Sequence, residues 1–214
     1  MKTHQKLTFT LIIVIAALLY IVNKNNGQLK GKADSLSMLK ETFSDVTNAS
    51  EIDSTALKKL LPFFKVKKDE FDPNGRLKYV CKDSPEAPKG SAMYCYFEQI
   101  NNTVADLRFR MQFENKEWLF VRKCQFLIDN IVYEYYPSDF EFNAGNPGRV
   151  CEWFDDSINE SNAGLIKALS KAKEAKVKVI GRHYHTVIVI SPQQIESINN
   201  TLTLYSAMGG DISI

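Results

Sequence analysis

Leu7–Val22 is a run of sixteen residues without a charge, LTFTLIIVIAALLYIV, and Lys2 and Lys6 precede it. As a helix it would rise roughly 24 Å, against a bilayer hydrocarbon core of about 30 Å. That is short for a spanning helix and long for the apolar region of a signal peptide, although a basic start followed by an apolar run is the export pattern. The next residues, Asn23-Lys24-Asn25-Asn26-Gly27, offer no small-x-small cleavage site, and there is no cysteine before Cys81 to carry a lipid. The run therefore reads as an uncleaved N-terminal membrane helix over residues 1–27, a signal anchor; a cleaved signal peptide and a buried core helix are the alternatives. Lys24, Lys30 and Lys32 on the far side nearly balance the basic residues on the near side, so the positive-inside bias is weak. The cysteines favour a single-pass protein of the cell membrane with its C-terminal domain outside the cytoplasm, periplasmic or secreted if the run is cleaved.

Residues 28–214 are long enough for one exported domain with a full core. The formal charge of +2 comes from the start of the chain. Without Lys2, Lys6 and Lys24 the remainder holds 24 basic and 25 acidic residues. Such a balance supplies no general attraction to nucleic acid, so the expected partners are the membrane, through residues 7–22, and a protein or cell-envelope component.

Residues 23–32 are polar and read as a tether. Leu36, Leu39, Phe43 and Val46 share one face of a helix over Ala33–Val46. Ser54 is placed to cap a short helix, Thr55–Leu61, that Pro62 ends. From Phe63 the period becomes two. Strands are expected around Phe64–Lys68, Arg76–Cys81, Ala92–Ile100 and Thr103–Phe113, with turns at Asp72-Pro73-Asn74-Gly75 and Asn101-Asn102. In Thr103–Phe113, Ala105, Leu107, Phe109, Met111 and Phe113 point one way and Asp106, Arg108, Arg110 and Gln112 the other. Glu117–Ile128 reads as one strand with Trp118, Phe120, Cys124, Phe126 and Ile128 on a face, and Asp129-Asn130 turns it into Ile131–Tyr136. Two more strands follow, Phe140–Phe142 and Val150–Phe154. Ser157 to Glu160 has capping-box spacing for a helix to about Lys173. Val177–Tyr184 and Thr186–Ile190 are β-branched. Ser191-Pro192-Gln193-Gln194 opens a last helix, ended by Gly209-Gly210. Elements segregate instead of alternating, so the fold class is α+β: a mainly antiparallel β-meander packed with a C-terminal helix–hairpin–helix.

Cys81, Cys95, Cys124 and Cys151 show no CxxC spacing, which argues against zinc. An even count in an exported domain favours disulfide bonds over buried free thiols. Cys81 and Cys95 flank the SPEAPKG loop, which favours Cys81–Cys95 with Cys124–Cys151, each contributing about 2–4 kcal/mol. Asn48, Asn101, Asn159 and Asn199 sit in N-x-Ser/Thr sequons, which matter only in a eukaryotic source.

The candidate sites each have a bland reading beside a sharp one. His183 and His185, on one strand, would present two imidazoles to the same face, with Glu152, Asp155 or Asp156 as a further metal ligand; the bland reading is two solvated histidines. Asp155-Asp156 with Glu152 could be an acid/base pair, but neighbours on a strand face opposite ways. The basic stretch Lys167–Arg182 is either a solvated face, compensated by the acidic stretch Glu134–Glu160, or a surface for anionic lipid or cell-surface polymer. Tyr133–Tyr136 with Phe140, Phe142, Trp153 and Phe154 could line a groove or fill a core. The common catalytic motifs G-x-S-x-G, HExxH, the phosphate loop and the dinucleotide fingerprint do not occur.

Trp118-Leu119-Phe120 after a turn, Asp129 in a hairpin, Glu152-Trp153 before a helix, Gly181-Arg182 and the Ser-capped final helix together resemble an uncharacterised module of bacterial exported or membrane-anchored proteins, over about residues 63–209. The resemblance implies a compact α+β domain displayed outside the membrane, and it carries over no catalytic residue and no cofactor. The expected function is a membrane-tethered, non-enzymatic binding or interaction domain. The alternatives are a metal-assisted hydrolase using His183 and His185, favoured by a deep polar pocket holding both, and a structural envelope protein.

Overall fold

The computed structural model describes residues 53–85, 90–143 and 148–212. All lie in the compact unit Ser50–Ile214. The apolar run Leu7–Val22, the tether 23–32 and the helix expected over Ala33–Val46 lie outside the described residues. Among the described residues no helix is long and apolar enough to cross a membrane.

The unit is α+β with antiparallel strand pairing throughout. Helix α1 (Ser54–Leu60) leads through a short 3-10 turn into β1 (Phe64–Lys68), β2 (Leu77–Cys81), β3 (Ala92–Ile100) and β4 (Thr103–Asn115). The chain continues through β5 (Lys123–Ile128), β6 (Ile131–Tyr135), β7 (Glu141–Asn143) and β8 (Val150–Ser157). Helix α2 (Glu160–Ser170), β9 (Ala175–Ile180), β10 (His185–Ile190) and helix α3 (Pro192–Ala207) complete it. The expected meander divides after Asn115. One sheet has the order β1-β2-β3-β4-β8-β7 and the other β10-β9-β5-β6.

Alternation decides what each strand buries. Leu107, Phe109, Met111 and Phe113 enter the core from β4, as the pattern predicts. At its start the pattern slips, because two residues of β4 oppose one of β3 between Tyr96 and Glu98. Asp106 takes a left-handed φ of 46° in this bulge. The extra residue exchanges the faces, so Val104 packs against the core in place of Ala105. The hairpin turns Asn101-Asn102 and Asp129-Asn130 hold positive φ at both positions, the requirement of a tight type I′ connection. The Asp129 carboxylate also accepts from the backbone N–H of Lys173 and Glu174, which ties that hairpin to the start of β9.

The first two helices begin one or two residues from where the sequence suggests. Asp53 caps α1, accepting from the N–H of Thr55 and Ala56; Ser54 is already helical. Asn159 caps α2 in a reciprocal box with Asn162, because β8 runs on to Ser157 and uses it as a strand residue. The α3 box is the expected one, Ser191 with Gln194 and Pro192 at the first turn. Helix α3 lies against β3, where the Phe97 and Tyr205 rings meet edge to face at 5.4 Å. Between the sheets the rings of Phe109, Phe126, Tyr135 and Phe154 form one cluster, with Phe109–Tyr135 at 5.8 Å and Phe109–Phe154 at 5.5 Å. Tyr135 and Phe154 therefore place their rings in the core and do not form an aromatic groove.

All four cysteines are buried free thiols. Cys81 ends β2, one register step past the pair Val80↔Tyr96, and so lies across from Cys95 on the core side. Burial pushes the Cys95 thiol far above its ordinary range and the Cys124 thiol up to about 12. Cys124 faces the core from β5. Cys151 lies on the other face of β8 from Phe154, beside Glu114 across the ladder. The pairing Cys124–Cys151 does not fit this fold, because the two side chains are on opposite sides of the sheet that β8 belongs to.

Phe109 touches three other rings and has no solvent exposure. Phe109→Ala should lower unfolding free energy by about 3–5 kcal/mol, read from the midpoint of urea denaturation.

Candidate interaction site

The chain changes sheets over residues 116–122, between β4 and β5. The sequence reads this stretch as the beginning of a strand, yet β5 starts only at Lys123. A buried carboxylate takes its backbone donors instead. Glu152 projects inward from β8 and is 4% exposed. One of its oxygens accepts from Leu119 N–H at 2.8 Å and the other from Val121 N–H at 3.1 Å. Leu119 and Val121 are drawn into the core, Phe120 and Arg122 are left exposed, and Trp118 is half-buried beside them.

Three more bonds hold the same stretch to the turn between β9 and β10. Arg182 N–H donates to the Leu119 carbonyl at 3.0 Å, and Arg122 N–H donates to the Ile180 carbonyl at 2.8 Å. The Tyr184 hydroxyl donates to the Trp118 carbonyl at 2.9 Å. Gly181 permits this approach, since a Cβ there would fall 2.0 Å from the Leu119 carbonyl oxygen.

Phe120 pays the conformational cost. It sits at φ 51°, a left-handed conformation unfavourable for a bulky residue by about 1–2 kcal/mol, and it is 57% exposed. The Trp118 ring lies 6.2 Å from Phe120 and meets Phe142 edge-on at 5.7 Å. Phe142, on β7, is 71% exposed. The result is a solvent-facing aromatic patch on a rigidly held backbone, where exposed apolar area of this kind marks contact surfaces.

The other candidate residues are dispersed. His185 opens β10, but His183 lies in the turn before it, so the two do not share a strand face. Glu152 is committed to the backbone of residues 119 and 121, and no group of three His, Cys, Asp or Glu among the described residues could hold a metal. Asp155 and Asp156 both belong to β8 and border a polar cavity of about 510 Å³ with Arg108, Tyr135 and Ser138. They point to opposite faces. Asp155 accepts from the Tyr96 hydroxyl at 2.8 Å, Arg108 Nε at 2.7 Å and Arg110 Nη1 at 3.1 Å. Asp156 accepts from the Tyr135 hydroxyl at 2.6 Å and from Ser138. Each is satisfied by donors that stiffen its own side of the sheet, so the two do not form an acid/base pair. Lys176 and Lys178 alternate with core residues along β9, and the acidic stretch meets this sheet through the Lys123–Glu134 ion pair at 3.0 Å.

Comparisons with protein-family models, with curated proteins and with solved structures find no match for this chain.

Two substitutions separate fold from patch. Glu152→Gln replaces one acceptor with a donor facing a buried N–H, and should cost about 2–3 kcal/mol in denaturant unfolding. Phe120→Gly gives up little buried area and relieves the left-handed strain; its stability should stay within about 1 kcal/mol of the parent.

Proposed function

We propose that this chain is a membrane-tethered, non-enzymatic interaction domain, displayed outside the cytoplasm, that reads a protein or cell-envelope partner through Trp118, Phe120 and Phe142. The observation that carries this reading is Phe120, a large apolar side chain held outward in an unfavourable backbone conformation by the bonds that fix residues 119 and 121 on either side of it. Conformational cost of this kind persists where the surroundings enforce it, and it gathers at functional surfaces. Aromatic side chains on a fixed backbone bind with little further loss of entropy. The N-terminal apolar run supplies the tether, and the near-neutral charge of the rest leaves nucleic acid out.

The test places a photo-crosslinking side chain at position 120 of the full-length protein in native membranes, with position 171, an exposed site on the far end of α2, as control. A discrete adduct at 120, absent at 171 and lost with Trp118→Ala, is the expected result. Adducts of equal yield at both positions overturn the reading.

In an oxidising compartment the facing thiols of Cys81 and Cys95 form the one bridge this fold favours, and Cys124 and Cys151 stay free. Intact mass of native material, with and without reductant and alkylation, should show one disulfide and two thiols. Four thiols, or two bridges, exclude that assignment.

A further inference from the structure

A sheet edge presents unpaired N–H and C=O groups, and folds that stay single blunt such edges with charge, brevity or cover. Among the described residues the two sheets have four edges: β1, β7, β6 and β10. Strand β1 carries Lys65, Lys67 and Lys68. Strand β7 has three residues and an acid, Glu141. Strand β6 carries Glu134, held by Lys123, Gln125 and the Tyr136 hydroxyl. Strand β10, His185–Ile190, is six residues long and has no Lys, Arg, Asp, Glu or Pro. After His185 it is β-branched at every position, and Val187 and Val189 on its outer face are 53% and 75% exposed.

We infer that β10 pairs antiparallel with β10 of a second copy of this chain, joining two four-stranded sheets into one of eight. Complementarity selects that occupant. Residues directly opposite in an antiparallel pair share a face, and like charges there are destabilising. An uncharged strand accepts its own copy without repulsion, whereas a charged β1 or β6 edge would set lysines or a carboxylate against valines. Two symmetric registers keep the inner and outer faces aligned. A two-fold axis at Val187 sets Val187 against Val187 of the second copy and Val189 against its His185. An axis at Ile188 sets Ile188 against itself and Thr186 against Ile190. Either register covers the exposed valines, and both close after two chains, which leaves no further β10 edge open.

The test is sedimentation velocity on the full-length protein in mild detergent across a concentration series. The expected result is a two-chain species whose dissociation constant rises about tenfold or more in Val187→Lys, which sets two ammonium groups together or beside the axis. The same variant separates β10 pairing from association through the N-terminal apolar run, which it leaves untouched. Single cysteines at 187 and 188 give a second measurement that does not depend on that variant folding well. An intermolecular disulfide from one position and not from the other supports the inference and fixes the register. A one-chain species at every concentration, a dimer indifferent to Val187→Lys with no crosslink at either position, or a foreign polypeptide recovered crosslinked at position 187 each overturns it.

Discussion

The fold depends on one carboxylate in the wrong place for a charge. Glu152 lies on the inner face of β8, where alternation calls for an apolar side chain and where a lone carboxylate is costly to desolvate. Two backbone N–H groups of the crossing segment offset that cost, and the segment in turn loses the donors it would need to extend β5. The ladder of the second sheet begins at Lys123, and the switch from one sheet to the other happens over a stretch with fixed geometry. The close approach of Gly181 to Leu119, the hydroxyl of Tyr184 and the outward Phe120 all follow from where Glu152 holds residues 119 and 121.

What could be seen in the sequence was local. The alternation in β4, the two Asn/Asp turns with positive φ and the Ser191-Pro192-Gln194 start of α3 are decided by residues within a few positions of each other, and each appears in the structure. What could not be seen depended on partners far along the chain. The division into two sheets requires β8 to pair with β4 and β9 to pair with β5, across separations that leave no periodic trace. The apolar alternation of Trp118, Phe120 and Cys124 looks like a strand until a carboxylate more than thirty residues later removes two of its donors. A sequence signal for the clamp does exist. Glu152 occupies an inward position between Val150 and Phe154, and a buried acid there requires donors from somewhere.

Adjacent acids on β8 show how one strand serves two environments. Asp155 gathers Tyr96, Arg108 and Arg110 on the outer face, and burial with the nearby carboxylate pushes the Tyr96 phenol well above its ordinary range. Asp156, one residue on, fixes Tyr135 and Ser138 at the inner side, and the Tyr135 phenol is raised in the same way. The two together read in sequence as a reactive pair. In the fold they brace the outer polar network and the aromatic core, and each neutralises the demand of its own side.

The packing of α3 over β3 has a consequence for how the protein is made. Tyr205 and its neighbours cover aromatic residues that were synthesised a hundred positions earlier, and Asp53 N–H donates to the Ala207 carbonyl, so the two ends of the described unit are tied together. During synthesis β5 waits for β9 to complete its sheet, and Phe97 and Tyr79 wait for α3. A nascent chain released before Ser191 has every strand and lacks its last covering helix. The aromatic inner face of β2 and β3 is therefore the part of this core that is covered last, hidden only when the final helix arrives.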